Sequence, residues 1–378
     1  MRIGILGAGQ LGRMLTLDGL RLGHKFSLYD PAGKPSAGVG RIFSDPDGTR
    51  LEEFLAEVDC VTYEFEHLPL QLVREIARHR PVMPDPEALR ACQNRALEKK
   101  LFHALGIPTA QFRIARSAGD LRNAAEELGC PVVAKSVTEG YDGKGQAVVR
   151  SPAEAEDIWS VIGHDQLVVE SFVNFRRELS IVAVRDQKGE TAFYPLAENI
   201  HHEGILRFSI APATHIDPAI EERAQGHIRT LLSELNYVGV LALELFETDS
   251  GLLANEMAPR VHNSGHWSQN GAITSQFENH IRAVAGAPLG DTSANSPTCM
   301  INLIGDPGPL NQILELPYTH LHLYGKAKRA GRKLGHINIC AESYEELRWR
   351  ALNTASLLPG CPAFDWTPES SAPSEPAR

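Results

Sequence analysis

The chain has 378 residues, of which 43% are hydrophobic and 22% charged, and its formal net charge is −10. These values are typical of a globular protein with two or three domains and large buried cores. The negative charge excludes a nucleic-acid-binding surface over the whole molecule, and no apolar run reaches the ~18 residues of a membrane span. The six cysteines form no CxxC pair, which favours reduced thiols and a cytoplasmic location over disulfides or a zinc site.

The first 90 residues alternate short apolar strands with helices, which predicts a Rossmann-like, doubly wound α/β domain. Gly7, Gly9 and Gly12 follow the first strand in the pattern G-x-G-x-x-G. Asp30 ends the second strand, where the ribose-binding acid of a nicotinamide dehydrogenase would lie. The alternatives are a turn that binds some other phosphate at the helix N-terminus, or a turn that only serves the fold.

Residues 91–290 are predicted to form a second domain, which contains a glycine-rich loop between two strands. The loop covers residues 140–146 and lacks the Lys-Ser/Thr ending of a Walker A loop. We expect a lid whose N–H groups cover phosphates, with Lys135 before it and Lys144 within it to neutralise charge. A mobile surface hairpin is the alternative. Glu170 and Glu178 lie at the ends of later strands, where they can accept hydrogen bonds from ribose hydroxyls or from the adenine amino group. The alternative is that both carboxylates are simply solvated.

A predicted β-hairpin further along this domain carries two glutamates. A three-residue turn at 249–251 would place Phe246 opposite Ala254 and Glu244 opposite Glu256. Like charges that face each other are destabilising, so we expect a cation between them. Mg²⁺ or Mn²⁺ suits two carboxylates and substrate phosphates. The alternative is an exposed hairpin with solvated glutamates, which the large apolar residues on both faces disfavour.

The remaining residues are predicted to form a small mixed C-terminal domain over 291–362 and a disordered tail over 363–378. Residues 325–336 concentrate positive charge in a chain that is negative overall. Basic side chains among glycines suit a phosphate-bearing small molecule, and a solvated charge run is the alternative. The cationic residues are Lys326, Lys328, Arg329, Arg332 and Lys333.

The lysine, the glycine-rich lid, Glu170 and the glutamate hairpin together resemble the ATP-grasp superfamily. Residues 140–146 (GYDGKGQ) and 255–267 (NEMAPRVHNSGHW) more closely resemble the 5-(carboxyamino)imidazole ribonucleotide synthase family of purine biosynthesis. Further agreement is found at residues 9–14, 63–66, 199–206 and 331–336, and the resemblance runs to about residue 360. It implies an α+β ATP-grasp fold and a ligase. The implied reaction joins bicarbonate to 5-aminoimidazole ribonucleotide through carboxyphosphate, giving ADP and phosphate from ATP.

The resemblance also implies roles for individual residues. Mg²⁺ or Mn²⁺ would be held by Glu244 and Glu256, and the assembly would be a homodimer. Asp142 would take the amine proton when the lid closes, and Lys326, Arg260 and His262 would complete the catalytic group. The residues expected to contact ATP are Arg95, Lys135, Gly140, Tyr141, Asp142, Gly143, Lys144, Gly145, Gln146, Glu170, Ser171, Phe172, Val173, Glu178, His201, Asn255 and Glu256. Those expected to approach the ribonucleotide are Tyr141, Asp142, Lys326, Arg332 and Lys333.

Two other functions remain as alternatives, whereas the dehydrogenase hypothesis falls because a phosphorylated substrate can use the first glycine turn. A formate-dependent glycinamide ribonucleotide transformylase shares the domain organisation but not the amino-acid sequence found here at residues 140–146 and 255–267. A non-catalytic nucleotide-binding regulator would be free to lose Lys135, Glu244 or Glu256, and all three are present.

Overall fold

The computed structural model describes residues 1–138, 145–162 and 166–368. Within these ranges the strands form two four-stranded sheets and one nine-stranded sheet. Helices cover the sheets, and the apolar side chains between the layers form several cores. No helix in the described ranges is long and apolar enough to cross a membrane.

The N-terminal sheet is parallel throughout, in the order β3-β2-β1-β4. Ile3 and Ile5 on β1 pack in one core and Leu6 in another, so the sheet is buried on both faces, as parallel sheets are. The predicted Rossmann-like domain is confirmed. Its elements are β1 (Arg2–Leu6), α1 (Gln10–Arg21), β2 (Lys25–Asp30), β3 (Arg41–Ser44), α2 (Leu51–Ala56), β4 (Cys60–Tyr63), α3 (Leu70–His79) and α4 (Pro86–Cys92).

A small antiparallel sheet follows, in the order β5-β8-β6-β7. The apolar side chains of its helices α6 and α7 share one core with the strands. Val168 on the other face packs against Ala96 of helix α5. The elements are α5 (Arg95–Ala104), β5 (Phe112–Ala115), α6 (Ala118–Leu128), β6 (Val132–Ser136), β7 (Gln146–Val149), α7 (Ala155–Ile162) and β8 (Leu167–Ser171).

The large sheet runs in the order β14-β13-β9-β11-β12-β15-β17-β16, with β10 paired to β9. Its middle part consists of β9 (Arg177–Arg185), β10 (Thr191–Phe193), β11 (Ala197–His202), β12 (Ile205–Ala211), α8 (Pro218–Glu234), β13 (Gly239–Thr248), β14 (Gly251–Ala258), α9 (Ser268–Gly271) and α10 (Gln276–Val284). The C-terminal elements are β15 (Thr298–Ile304), α11 (Leu310–Leu314), β16 (Thr319–Leu323), β17 (Lys333–Cys340) and α12 (Tyr344–Ser356). Because β12 pairs with β15, one sheet crosses the predicted boundary at residue 290.

The glutamate hairpin has a different register near its turn from the one predicted. Thr248 pairs with Gly251 and Leu245 with Ala254, so the turn is one residue shorter and Phe246 does not face Ala254. A bulge then shifts the register, and Leu243 pairs with Met257. The glutamates lie at this bulge, where two residues of one strand face one of the other and the local twist increases. The predicted direct opposition ignored this extra residue.

Candidate active site

A buried ion-pair cluster joins the small sheet to the large one. Lys135 on β6 and Glu170 on β8 are diagonal neighbours on one face of the small sheet. Lys135 Nζ lies 3.0 Å from Glu170 Oε2 and 3.5 Å from Oδ1 of Asn255 on β14. Burial alone would raise the pKa of Glu170, but the charges of Lys135 and Lys99 lower it. The structure therefore brings together three of the residues predicted to contact ATP.

The two hairpin glutamates are close enough for the charge of Glu256 to act on Glu244. Burial, and then the charge of Glu256, raises the pKa of Glu244 to about 8. Glu256 is exposed, whereas Glu244 is partly buried on the neighbouring strand. No group of three or more His, Cys, Asp or Glu side chains in the described ranges forms a metal site. Two carboxylates nevertheless suffice for Mg²⁺ when nucleotide phosphates and water complete the shell.

A histidine–glutamate pair lies beside these glutamates. His201 Nδ1 is 3.1 Å from Oε2 of Glu178, at a bulge in β11. Burial alone would lower the pKa of His201, but the nearby charge of Glu178, and then that of Glu244, raises it to about 9. His201 is thus a cation at neutral pH. Both residues were predicted to contact ATP, and the structure places a positive charge next to the predicted metal pair.

The other predicted ATP contacts lie around the same junction. Arg95, at the start of α5, donates from Nη1 to the carbonyl of Ser136 at 2.9 Å. The carbonyl of Gly145 accepts from the Ser136 N–H at 2.8 Å, which closes the base of the glycine-rich loop. Gln146 pairs with Lys135, and residues 171–173 end β8 and follow it. The predicted lid residues Gly140, Tyr141, Asp142, Gly143 and Lys144 lie outside the described residues.

Arg260 connects this region to the N-terminal domain. Its Nε and Nη2 donate to the two carboxylate oxygens of Glu66, with 2.9 Å between Nη2 and Oε1. Burial alone would raise the pKa of Glu66, but Arg260 lowers it to about 2. A two-bonded pair of this kind holds the guanidinium in one orientation. Arg260 is therefore a fixed positive charge close to Glu256, consistent with its predicted place near an anion.

His262 is neutral, and its hydrogen bonds determine which ring nitrogen carries the proton. Burial, and then the charge of Arg260, lowers its pKa to about 3. Nδ1 accepts the backbone N–H of Ser264 at 3.3 Å and lies 2.9 Å from Ser264 Oγ, which favours a proton on Nε2. Nε2 is 3.4 Å from Oε1 of Glu244. His262 thus presents an N–H group to the predicted metal and bicarbonate region.

A second region of the site is a cavity of about 300 Å³ between the N-terminal and C-terminal parts of the chain. Lys326 reaches it from the loop after β16 and donates from Nζ to Gln10 Oε1. Burial lowers the pKa of Lys326, and Glu64 opposes that effect. Residues that line the cavity are Ala8, Gly9, Gln10, Leu11, Asp30, Lys34, Ser36, Glu64, Phe65 and Lys326.

The glycine turn at the bottom of this cavity is already occupied by a carboxylate. Glu64 accepts the backbone N–H of Gly9 through Oε1 and that of Gly12 through Oε2, the latter at 2.7 Å. These two N–H groups are therefore not open to a ligand in the structure, and the use of this turn by a substrate phosphate stays a prediction. Asp30 accepts the N–H groups of Ala32 and Lys34 rather than facing a dinucleotide. Both observations explain why the dinucleotide pattern misleads.

The predicted basic cluster is divided between the two regions. Lys326 lines the cavity, whereas the charge of Lys333 acts on Glu244, His201 and His262. Arg332 donates to the carbonyl of Ala327 at 3.3 Å. The segment therefore runs from the cavity toward the glutamate hairpin.

Sequence reasoning missed four buried or half-buried charged residues of the site. Glu64 and Glu66 lie directly after β4, and the carboxyl ends of parallel strands are where ligands bind, so that rule could have found them. Glu98 and Lys99 face β14 from helix α5, and no local sequence signal identifies such a contact.

This arrangement defines the class of protein. A small sheet with a lysine–glutamate pair faces a larger antiparallel sheet that carries two carboxylates, and the ATP-grasp domain model matches residues 100–277. The ribonucleotide synthetase preATP-grasp domain matches residues 1–93, and the phosphoribosylaminoimidazole carboxylase C-terminal domain matches residues 298–350. The protein is an ATP-grasp ligase, as predicted.

More particularly, the chain belongs to the N5-carboxyaminoimidazole ribonucleotide synthase family. A relative of that name from Pseudomonas aeruginosa is 47% identical over 361 residues, which cover 95% of this chain and 99% of the relative. One from Vibrio cholerae is 43% identical over 366 residues, which cover 95% and 96% of the two chains. The synthetase structure from Thermus thermophilus has a TM-score of 0.91 at 43% identity, covering 97% of this chain and 100% of the other. The family resemblance is confirmed.

Several solved relatives carry nucleotides, and one of these also carries the ribonucleotide. The synthase from Aspergillus clavatus, in complex with ADP and 5-aminoimidazole ribonucleotide, has a TM-score of 0.86 at 29% identity. The match covers 94% of this chain and 98% of that one. The roles of single residues in this chain stay predictions.

Proposed function

We propose that this chain uses ATP and bicarbonate to carboxylate the exocyclic amine of 5-aminoimidazole ribonucleotide. The observation that carries the proposal is the joint presence of two linked regions. The Lys135–Glu170 pair faces Asn255 across the sheet junction, and a separate cavity ends at Lys326. One region suits a nucleotide and the other suits a second phosphorylated molecule, and Arg260 lies between β14 and the N-terminal domain.

The chemistry has two steps in which the protein mainly positions charges. An oxygen of bicarbonate attacks the γ-phosphorus of ATP, and ADP leaves, which gives carboxyphosphate. The amine then attacks the carboxyl carbon, the bond from carbon to the phosphate oxygen breaks, and phosphate leaves. Lys135 neutralises phosphate charge, whereas fixed Arg260 and the Nε2–H of His262 stabilise the bicarbonate-derived anion. Asp142 accepts the proton that the amine loses.

The hairpin glutamates fit a divalent cation. Glu244 has a pKa raised to about 8, by burial first and then by the charge of Glu256, so the pair gains from a positive charge between its oxygens. Hard cations such as Mg²⁺ or Mn²⁺ prefer carboxylate oxygens. When bound, the ion neutralises charge on the transferring phosphoryl group. His201 and Lys333 add positive charge on the same side.

The cavity at Lys326 is our proposed site for the ribonucleotide. Glu64 takes the N–H groups of Gly9 and Gly12, so we expect lysine and arginine side chains to bind the phosphate of the substrate. Lys326 and Lys34 line the cavity and supply such charges, and Arg332 and Lys333 follow in the same segment. Tyr141 and Asp142 of the lid would close over the imidazole ring.

The proposal extends to assembly and location. We propose a homodimer in the cytoplasm, which fits the net charge of −10 and the free cysteines among the described residues. Light scattering on the purified chain measures the mass: twice 41.4 kDa supports the dimer, and 41.4 kDa contradicts it.

The experiment that tests the function is a measurement of ADP release with MgATP and bicarbonate, with and without 5-aminoimidazole ribonucleotide. Strong stimulation by this ribonucleotide supports the proposal. Stimulation by glycinamide ribonucleotide plus formate would instead indicate the transformylase. Absence of stimulation by either would mean that the acceptor is wrong.

A further inference from the structure

Two consecutive residues of helix α5, Glu98 and Lys99, face the strand that carries the predicted metal ligand. Strand β14 is at the edge of the large sheet, so one side of it has N–H and C=O groups without a neighbouring strand. Both side chains are almost completely buried, at 3% and 1% exposure of the residue. They are ionisable groups with no role in the proposed chemistry.

Lys99 makes two hydrogen bonds and one ion pair through its ammonium group. Its Nζ donates to the backbone carbonyl of Asn255 at 2.9 Å and to Thr109 Oγ1 at 3.0 Å. It also lies 3.3 Å from Oε1 of Glu170. Asn255 belongs to the large sheet and Glu170 to the small one, so a single ammonium group connects the two sheets.

Glu98 holds the same strand two residues further on. Its Oε1 accepts the backbone N–H of Met257 at 2.7 Å. Glu98 and Lys99 thus bind the backbone on either side of Glu256, at the bulge where the hairpin register shifts. A bulge weakens the pairing within the sheet, and this is where outside hydrogen bonds have the largest effect on the direction of the Glu256 side chain.

The location of these charges favours a role beyond folding. Burying an ammonium group is costly, and well-packed apolar residues in place of a buried ion pair are often as stable or more so. The chain nevertheless keeps a lysine where it reaches Glu170, itself paired with Lys135, and the carbonyl of Asn255. The contacts of Lys99 therefore lie on the nucleotide side and the metal side of the site together.

We propose that Glu98 and Lys99 are positioning residues that set the distance between the nucleotide-binding pair Lys135–Glu170 and the metal-binding segment at Asn255–Glu256. The inference rests on the proposed function, which it deepens. Neither residue is among those predicted to contact a substrate. Partners of this kind around metal ligands typically change metal affinity or activity by about 10- to 100-fold when they are removed.

Lys99→Met tests the positioning role of Lys99, because methionine keeps much of the side-chain volume and removes the hydrogen-bond donors. Lys100→Met is the matched control, since Lys100 is exposed on the same helix. We expect Lys99→Met to raise the KM for ATP and the Mg²⁺ concentration for half-maximal activity by about tenfold or more. The KM for the ribonucleotide should change less than about twofold, and ADP affinity measured by direct titration in EDTA should fall. Lys100→Met should match the wild type in all four.

Glu98→Gln and Glu98→Leu separate the hydrogen bond from the charge. Glutamine keeps an acceptor for the Met257 N–H and leucine does not, so the Mg²⁺ requirement should stay near wild type for glutamine and rise about tenfold for leucine. Equal, wild-type constants in Lys99→Met and Glu98→Leu would overturn the proposal. A lower melting temperature with an unchanged KM for ATP and an unchanged Mg²⁺ requirement per folded molecule would also overturn it, because a purely structural role predicts that result.

The direct ADP titration distinguishes this proposal from the proposed function. If the wild-type protein binds ADP but shows no ribonucleotide-stimulated turnover, the proposed amine substrate is wrong. The positioning role of Glu98 and Lys99 is then still tested by the ADP affinity of the variants. If wild-type turnover is stimulated by the ribonucleotide and Lys99→Met binds ADP as tightly as the wild type, the positioning role is contradicted while the proposed function is supported.

Discussion

The carboxylate of Glu64 accepts a hydrogen bond from the backbone N–H of Gly12, with 2.7 Å between Oε2 and the nitrogen. The start of a helix attracts anions because its first N–H groups have no partner in the helix. In this chain the anion is supplied by the protein itself, from the end of β4. There is no space for a larger residue, since a Cβ at Gly7 would lie 2.5 Å from Cγ of Glu64. The close fit to Glu64 therefore explains Gly7 and Gly9, where a Cβ would lie 2.5 Å and 2.9 Å from its side chain.

Replacing Glu64 with alanine should leave the glycine turn open. We expect the free energy of unfolding to fall by about 2 kcal/mol, because two N–H groups lose a charged acceptor. Inorganic phosphate should then raise the melting temperature of Glu64→Ala but not that of the wild type. Exposed Glu52→Ala is the control. Unchanged stability in urea, or no response to phosphate, would contradict this account of the turn.

Replacing Glu244 with glutamine should abolish ATP turnover while the fold is kept. With a pKa of about 8, raised by burial and then by Glu256, the side chain is mostly neutral at pH 7 without a cation. Glutamine imitates that form, so the free energy of unfolding should change by less than about 1 kcal/mol. Glu256→Gln should lose turnover as well. The measurement is ADP release across a Mg²⁺ titration, with exposed Glu234→Gln as control; near-normal activity at ordinary Mg²⁺ would remove the metal assignment.

Replacing Asp142 with asparagine should separate the two steps of the reaction. We expect ADP affinity within about twofold of the wild type and a fall in product formation of about 100-fold, in the usual range for loss of a general base. Direct ADP titration and a product assay measure the two effects. Equal loss of binding and carboxylation would mean that Asp142 is not the base.

His201 should make stability depend on pH on the alkaline side. Burial lowers its pKa but Glu178 more than compensates, so the folded value is about 9 against an ordinary value of 6.5. Its contribution is present in full below pH 6.5 and is lost as the pH rises through about 9, a change of about 3 kcal/mol. Unfolding in urea from pH 6 to 10 measures it. The loss should largely disappear in His201→Gln and remain in exposed His202→Gln; equal pH profiles would contradict the assignment.

Much of the site could be predicted because its motifs are local in sequence. Lys135 and Glu170 come together because their strands are neighbours, and strand pairing brings diagonal residues into contact. Glu244 and Glu256 were found because an apolar hairpin with two carboxylates is unusual, whereas Asn255 was implied by the family resemblance. The hairpin register was wrong near the turn because a bulge adds one residue without changing the apolar pattern of the strands.

The amino-acid sequence by itself determined the family, the class of fold and the residue types of both site regions, because short spacings along strands and turns carry that information. Only the tertiary structure decided which charges meet. Three such contacts join residues that lie far apart in the chain: Glu64 with Gly12 of the glycine turn, Glu66 with Arg260, and Lys99 with Glu170. Such contacts depend on how separate elements pack. A charge that is distant in sequence leaves no periodic signal, and its effect appears only once burial removes the screening by water.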